Sequence, residues 1–438
     1  MDENWGDVVG AHPTVPAARR GRWRRTRAPL AQHTHFTRRS VVPKIFRTVA
    51  VVLATVLVAA GGVAATIASS WVNTLVTGSV ELAGSPAQAP NIAELQGGAN
   101  ILLMGVDACE DDIKDLFGDR CKNPENEATL NDVNIVVHIS DEPRRAVAIT
   151  FPRDLIVNSP ECKTPRGDVL PAQDGIMINA LYEYGGISCV AQTIESLSGG
   201  VLDIQFGAMI TWKGVIELTS AIGGVEVCVA ERIRDPHTGL DIPPGNHTFE
   251  GFEALQFLRT RYGLEGESDV ARVGNQQVYL SALVRKIMNE QVLSDLPMVL
   301  RLAQTTIDAI TPTTALANPA TIVQLALAVK DMPLEEFTFV KYPVADAPWD
   351  KDRLVPLEDD AAILFQAIAE NRPLVVQNDG GEYGGAVIDG DEGSSPDPVV
   401  PEPSSSPADN GGSGDGVVLP PTVTGFTPAD NACSRGGG

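Results

Sequence analysis

From Thr48 to Ser70 the chain carries no charge and is rich in Val, Ala and Leu, and the next charged residue is Glu81. At a rise of about 1.5 Å per residue such a run crosses the roughly 30 Å of bilayer hydrocarbon, so the pattern predicts one transmembrane helix over 48–70. Residues 71–98, broken by Gly84, Pro86 and Pro90, read as a stalk. From Asn100 the periodicity changes. Asn100 to Gly105 is a short apolar run ended by glycine, and Val133, Ile135, Val137 and Ile139 alternate as a half-buried strand. Ser140 to Pro143 has turn chemistry and Ala146 to Phe151 returns as a strand, which predicts a hairpin. Helical spacing follows over Asn179–Tyr184, Val190–Leu197, Lys213–Ala221, Phe252–Leu258, Asp269–Asn289 and Glu358–Glu370. Strands are expected at Ile204–Met209, Val225–Val229 and Phe337–Val344. The elements mix without a strict βαβ rhythm, which points to an α+β or three-layer α/β domain over 99–376. Residues 377–438 are Gly, Pro, Ser and acid, with ten Asp or Glu against the single base Arg435 after Asn378. They are expected to form a disordered tail.

Charge divides the chain. Residues 1–47 carry ten Arg or Lys against three acids, while 23 basic and 53 acidic residues follow. The positive-inside rule therefore predicts a basic cytoplasmic segment over 1–47, a single-pass protein of the cell membrane, and everything beyond Trp71 outside. Arg38-Arg39 resembles a twin-arginine signal, but the apolar run exceeds a usual signal core of about 7 to 15 residues, so the span is expected to be retained. The net charge of −23 argues against a nucleic-acid partner. All six cysteines follow the span and none has C-x-x-C spacing, which favours disulfides in an oxidising space. Cys109 and Cys121 bracket an acidic insertion and are expected to pair.

Candidate chemistry gathers at strand ends. Asp107 follows a strand and a glycine, Asp132 opens the next, and Arg153 closes its partner, so neighbouring strands would bring all three to one rim. Two carboxylates without Cys or His suit a hard cation such as Mg²⁺; ordinary loop caps are the plainer reading. Arg259 and Arg261 flank Thr260 at a helix end. Asp269, Arg272 and Gln276 share one helix face by spacing, with Val273, Leu280, Val284 and Ile287 expected to mark the buried side. A planar guanidinium matches phosphate oxygens, and Asp269 is placed to hold Arg272; a solvated face with one ion pair is the alternative. No G-x-S-x-G accompanies His138, His237 and His247, which disfavours a serine hydrolase.

In order along the chain, Asn100-Ile-Leu-Leu-Met-Gly-Val-Asp107, Phe151-Pro-Arg-Asp154, Ile178-Asn-Ala180 with Tyr184-Gly-Gly186, Gly223-Gly-Val-Glu-Val227, Gly251-Phe-Glu-Ala-Leu255 with Arg259-Thr-Arg261, and Asp269-x-x-Arg272-x-x-x-Gln-Gln277 resemble the LytR-CpsA-Psr family of bacterial envelope proteins. The resemblance implies a three-layer α/β/α outer domain with a central mixed sheet. It further implies binding of a polyprenyl-pyrophosphate-linked glycan and transfer of the glycan phosphate to peptidoglycan. On it, Asp107 and Asp132 match Mg²⁺-binding acids, and Arg153, Arg259, Arg261, Arg272 and Gln276 match pyrophosphate-binding positions, with Asp269 in the same motif. Leu130, Met177 and Asn275 stand where the family often has basic residues. A non-catalytic lipid-glycan binding or regulatory protein, and a polyprenyl-pyrophosphate pyrophosphatase, are the alternatives.

The charge asymmetry makes a topology prediction. A tag at the N-terminus should stay protected from protease added to intact cells, while one placed after Asn378 is cut; digestion of the N-terminal tag would reverse the orientation.

Overall fold

Apolar side chains at alternate positions give the central strands two buried faces, and the sheet they form sets the place of everything else. The computed structural model describes residues 69–70, 73–84, 98–121, 130–289, 305, 309–376, 385–388 and 416–437. The basic segment and nearly all of the expected span lie outside the described residues, among which no helix is long and apolar enough to cross a membrane.

In chain order the main elements are β1 (Ala99–Val106), β2 (Asn131–Ile139), β3 (Ala146–Phe151), α1 (Leu181–Leu197), β4 (Phe206–Thr211), α2 (Trp212–Ala221), β5 (Val225–Val229), β6 (Gly245–Phe249), α3 (Gly251–Arg259) and α4 (Asp269–Asn289). There follow β7 (Ile310–Pro312), α5 (Pro319–Val329), β8 (Phe337–Lys341), β9 (Val344–Ala347), β10 (Asp350–Pro356), α6 (Glu358–Ala369), β11 (Ala386–Ile388), β12 (Gly425–Phe426) and β13 (Ala432–Ser434). A mixed seven-stranded sheet runs in the order β7-β4-β1-β2-β3-β8-β12. β1 with β4, and β3 with β8, are parallel; the other pairs are antiparallel, including the expected β2–β3 hairpin.

Period-two alternation distributes the sheet's side chains. Leu102, Met104, Val136, Val147, Ile149 and Val340 face α1 and α6, sharing one core with Ile187, Val190, Ile194, Leu364 and Phe365. Ile135, Ala148 and Phe339 point the other way, toward Leu280 and Val284 of α4. Helices therefore cover both faces.

Three differences from the sequence reading have physical causes. The two expected helices over 179–197 are largely one element, interrupted at Gly185 and Gly186, where Gly186 has φ 67° and ψ −168°, a conformation that side chains disfavour. Part of the expected stalk is built into the domain: Val80 bridges to Thr313, Leu82 is buried in the main core, and the Ala83 N–H donates to Ser188 Oγ. The expected tail also departs from disorder. β12 pairs with β8 at the sheet edge, and β13 lies between β5 and β11 in a second sheet of order β6-β5-β13-β11. Strands this short leave no periodicity to read, and their polar flanks dominate the composition.

Cys433 on β13 stands opposite Cys228 on β5 in register, and the two form a disulfide across 205 residues of sequence. Arg285 donates to the carbonyls of Pro428 and Asp430, binding the same segment to α4. The expected Cys109–Cys121 bond is present, and Cys162–Cys189 ties a short strand to α1. Replacing Cys228 and Cys433 together with Ser should lower unfolding stability by about 2–4 kcal/mol, because the open chain regains loop freedom. An unchanged denaturant midpoint under non-reducing conditions would show that the C-terminal segment does not constrain the fold.

Candidate active site

Since β1, β2 and β3 run up, down and up, the end of β1, the start of β2 and the end of β3 meet at one edge of the sheet. Asp107, Asp132 and Arg153 consequently share that rim, as the alternation suggested. Asp107 is held by a reciprocal pair: its N–H donates to the Leu130 carbonyl at 3.1 Å, and its Oδ1 accepts from the Leu130 N–H at 2.8 Å. Val106 pairs with Asn131 but Gly105 with Val133, which makes Asp132 the extra residue of a β-bulge. Such a bulge re-aims a side chain, and here the carboxylate accepts from Arg153 Nη1 at 3.1 Å.

The first turn of α4 supplies the counter-charges. Asp269, nearly fully buried, accepts the Arg153 backbone N–H at 3.0 Å and pairs with Arg272 Nη2 at 2.5 Å and Arg153 Nε at 3.4 Å. Arg272 Nη2 also donates to the Asp132 carbonyl at 3.2 Å. The solvated helix face considered as an alternative is thereby excluded: Asp269, Arg272 and Gln276 are all buried. Burial opposes the Arg153 charge, but Asp132, Asp269 and Asp154 outweigh it and hold its pKa above the ordinary arginine value. At Arg272 burial prevails over Asp269 and lowers the pKa. Burial and the nearby Asp269 raise the Asp154 pKa against the pull of Arg153, Arg272 and Arg261. The Nε–H groups of both Arg153 and Arg272 are buried and find no hydrogen-bond acceptor among the described residues.

Arg272 and Gln276 open onto a cavity of about 440 Å³ between the sheet and helices α2, α3 and α4. Its walls are apolar, with Leu103, Ile135 and Phe339 from strands and Val215, Leu255 and Leu280 from helices among them, and Asp132, Arg259, Arg272 and Gln276 are the charged and amide groups that line it. This corrects one expectation. Leu280, Val284 and Ile287 do not mark a side opposite Arg272 and Gln276; all five line the cavity, since 100° per residue keeps them on one broad face.

Arg259 and Arg261 part company. Thr260 turns extended, with φ −59° and ψ 133°, and only Arg259 lines the cavity. Its Cζ lies 4.1 Å from the Trp212 ring centroid and 5.3 Å from that of Phe117. Phe117 belongs to the loop closed by Cys109 and Cys121, which is also tied to α2 by the Asp112–Lys213 ion pair. Arg261 points away, with Nε donating to the Glu267 carbonyl and Nη1 4.0 Å from Asp154. Buried Asp235 fixes that turn by accepting the N–H groups of Arg261, Tyr262 and His237. Phe117, Trp212, Asp235 and Arg353, whose Nη1 is 3.9 Å from Asp154, were missed in the sequence. Only Trp212, directly after a strand, had a local signal.

A family model described as the LytR_cpsA_psr family matches residues 72–357. The chain belongs to this family. Among curated relatives, the cell wall biosynthesis protein LcpA of Corynebacterium glutamicum is 25% identical over 322 residues, covering 68% of this chain; the alignment spans 60% of LcpA's own length. TagT of Bacillus subtilis, a polyisoprenyl-teichoic acid–peptidoglycan teichoic acid transferase, is 26% identical over 255 residues, which is 56% of this chain and 70% of that protein. The crystal structure of B. subtilis TagV aligns over 63% of this chain and 98% of its own at 17% identity, with a TM-score of 0.48.

The stack beneath Arg259 can be tested without substrate. Phe117→Leu keeps bulk but removes a ring face, and should weaken binding of inorganic pyrophosphate by about 0.5–1 kcal/mol in calorimetry. Equal affinity would show that the disulfide-closed loop does not orient this arginine.

Proposed function

We propose that this protein is a membrane-anchored phosphotransferase that moves a glycopolymer from a polyprenyl-pyrophosphate carrier to peptidoglycan in cell-wall assembly, with its N-terminus cytoplasmic and its catalytic domain outside. The observation that carries this reading is the cavity: an apolar chamber ending in Arg259, Arg272 and Gln276 matches a ligand with a hydrocarbon chain and an anionic head. TagT, a relative, bears the name of a transferase acting on a polyisoprenyl-linked polymer and peptidoglycan.

The chain's own residues account for the chemistry. The cavity takes the isoprenoid and excludes water from it. Arg272 and Arg259 line the cavity and would donate to phosphoryl oxygens, and Arg153 stands behind them, joined to Arg272 through Asp269. As the acceptor oxygen bonds to the glycan-side phosphorus, the bond from that phosphorus to the bridging oxygen breaks. The electron pair departs with the lipid phosphate, whose growing charge the arginines stabilise. Asp107 and Asp132 fit Mg²⁺ by chemistry: they are hard-oxygen donors at the paired ends of adjoining strands, and such an ion takes few protein carboxylates. When bound there, the metal would neutralise pyrophosphate charge.

Incubating the full chain with Mg²⁺, a polyprenyl-pyrophosphate glycan and peptidoglycan should yield a phosphodiester-linked product. Release of free glycan phosphate without linkage would favour a pyrophosphatase, and tight binding without any product a lipid-glycan binding protein. Arg272→Lys keeps charge but loses the planar fork, and should lower the transfer rate by roughly 10²-fold. Asp132→Ala should raise the Mg²⁺ concentration needed for half-maximal rate. Wild-type behaviour in both variants would place the chemistry elsewhere.

A further inference from the structure

Asp269 and Arg153 connect the apolar cavity to a second charged group, which reaches the surface around a largely buried carboxylate. Asp154 is its centre. Arg153 Nε, Arg353 Nη1 and Arg261 Nη1 stand 3.8, 3.9 and 4.0 Å from its carboxylate, close enough for ion pairing and too far for direct hydrogen bonds. The carboxylate thus keeps hydrogen-bond acceptor capacity at a site enclosed by cations.

Two exposed aromatic residues belong to the segments that supply these cations: Tyr262, whose ring centroid lies 5.3 Å from Arg261 Cζ, and Trp349, on the hairpin that carries Arg353. Tyr262 is 46% exposed and Trp349, in the turn between β9 and β10, is 69% exposed. The backbones that carry them are held in place. Asp235 clamps the Tyr262 backbone and the His237 ring lies 4.4 Å from the Tyr262 ring. Trp349 is carried by the hairpin that also supplies Asp352, 3.9 Å from Arg261 Nη2, and Arg353. That hairpin is fixed to the rim by the Leu354 N–H, which donates to the Asp154 carbonyl at 3.1 Å. An exposed tyrosine ring beside the Arg261 guanidinium, with an exposed tryptophan on the Arg353 hairpin, suits a ligand that is apolar on its ring faces and rich in hydroxyls at its edges, which is the chemistry of a sugar.

We infer that this surface is an acceptor-glycan subsite, in which Trp349 and Tyr262 stack against sugar rings of peptidoglycan while the reacting hydroxyl donates to Asp154. The inference rests on the transferase reading above. It assigns the acceptor rather than the donor glycan because phosphoryl transfer places the entering and leaving oxygens roughly in line. The lipid phosphate leaves toward the cavity at Arg272, so the nucleophile enters from the far side of Arg153. There the acceptor oxygen forms its bond to phosphorus as the bond to the lipid phosphate breaks, and the hydroxyl proton passes to the Asp154 carboxylate.

Binding of a soluble disaccharide fragment of peptidoglycan to the full chain, followed by calorimetry without any donor, tests the subsite apart from turnover. Trp349→Ala should weaken fragment binding roughly tenfold and leave inorganic pyrophosphate binding as in the wild type, which also verifies the fold. Asp154→Asn should retain fragment binding and lose transfer through kcat rather than the acceptor KM. Wild-type fragment affinity in both Trp349→Ala and Tyr262→Ala would overturn the subsite. A raised KM for the lipid-linked donor, with the acceptor KM unchanged, would also overturn it by assigning the rings to the donor glycan. If the fragment binds through Trp349 but the wild type forms no linked product, the transferase reading fails while the sugar site stands.

Discussion

The buried ion network of Arg153, Asp269 and Arg272 is the constraint on which the site depends. A charge removed from water is tolerated only when paired, and breaking such a pair typically costs about 3–5 kcal/mol. Asp269 meets that demand for two arginines at once, from the first residue of α4, where the helix N-terminus also favours a negative charge. Because Asp269 also accepts the Arg153 backbone N–H, the network locks the end of β3 to the start of α4. Rim and helix cannot shift independently. Asp132 accepts from Arg153 Nη1, and Asp269 pairs with Arg272 Nη2 and lies 3.4 Å from Arg153 Nε, so these carboxylates and guanidinium groups are held in one largely buried cluster.

The same helix explains how one site serves two chemistries. One broad face of α4 is charged or polar at Arg272 and Gln276 and apolar at Leu280, Val284 and Ile287, all lining one cavity. Its polarity changes along the helix axis instead of around it. Amphipathic spacing divides a helix into a polar side and an apolar side, and a change along the axis leaves no mark in that division. The spacing accordingly predicted an opposing, core-facing side for the aliphatic residues.

What was legible followed the rules of local periodicity. Alternation located the central strands and the β2–β3 hairpin, and those strand ends placed Asp107, Asp132 and Arg153 on one rim. The i, i+3 spacing joined Asp269 to Arg272. Nothing local could show that Arg259 and Arg261 separate, because that depends on Thr260, whose buried hydroxyl bonds to the Gln256 carbonyl and turns the chain. Nor could it show Asp235 holding the Arg261–Tyr262 turn, a contact made 26 and 27 residues away. The resemblance to a family carried the assignment of function; composition and spacing supported an anion site and went no further.

The C-terminal segment connects stability to the site. After β13 the chain runs back along the loop between α3 and α4: the Glu265 N–H donates to the Arg435 carbonyl, the Gly437 N–H donates to the Gly263 carbonyl, and the Arg435 side chain pairs with Glu231 and Glu265. That loop carries Arg261 and Tyr262 and delivers Asp269 to the rim. Leu264 of this loop is buried in the core, and local stability follows such packing and protected hydrogen bonds. Further backbone bonds come from a segment that Cys433 anchors to β5. The exposed salt bridges of Arg435 contribute little individually, so the disulfide and the strand pairing must hold the segment in place. Order at the arginine loop is therefore set jointly by Asp235, by Leu264 in the core and by residues at the far end of the chain, so a segment of tail-like composition belongs to the folded domain.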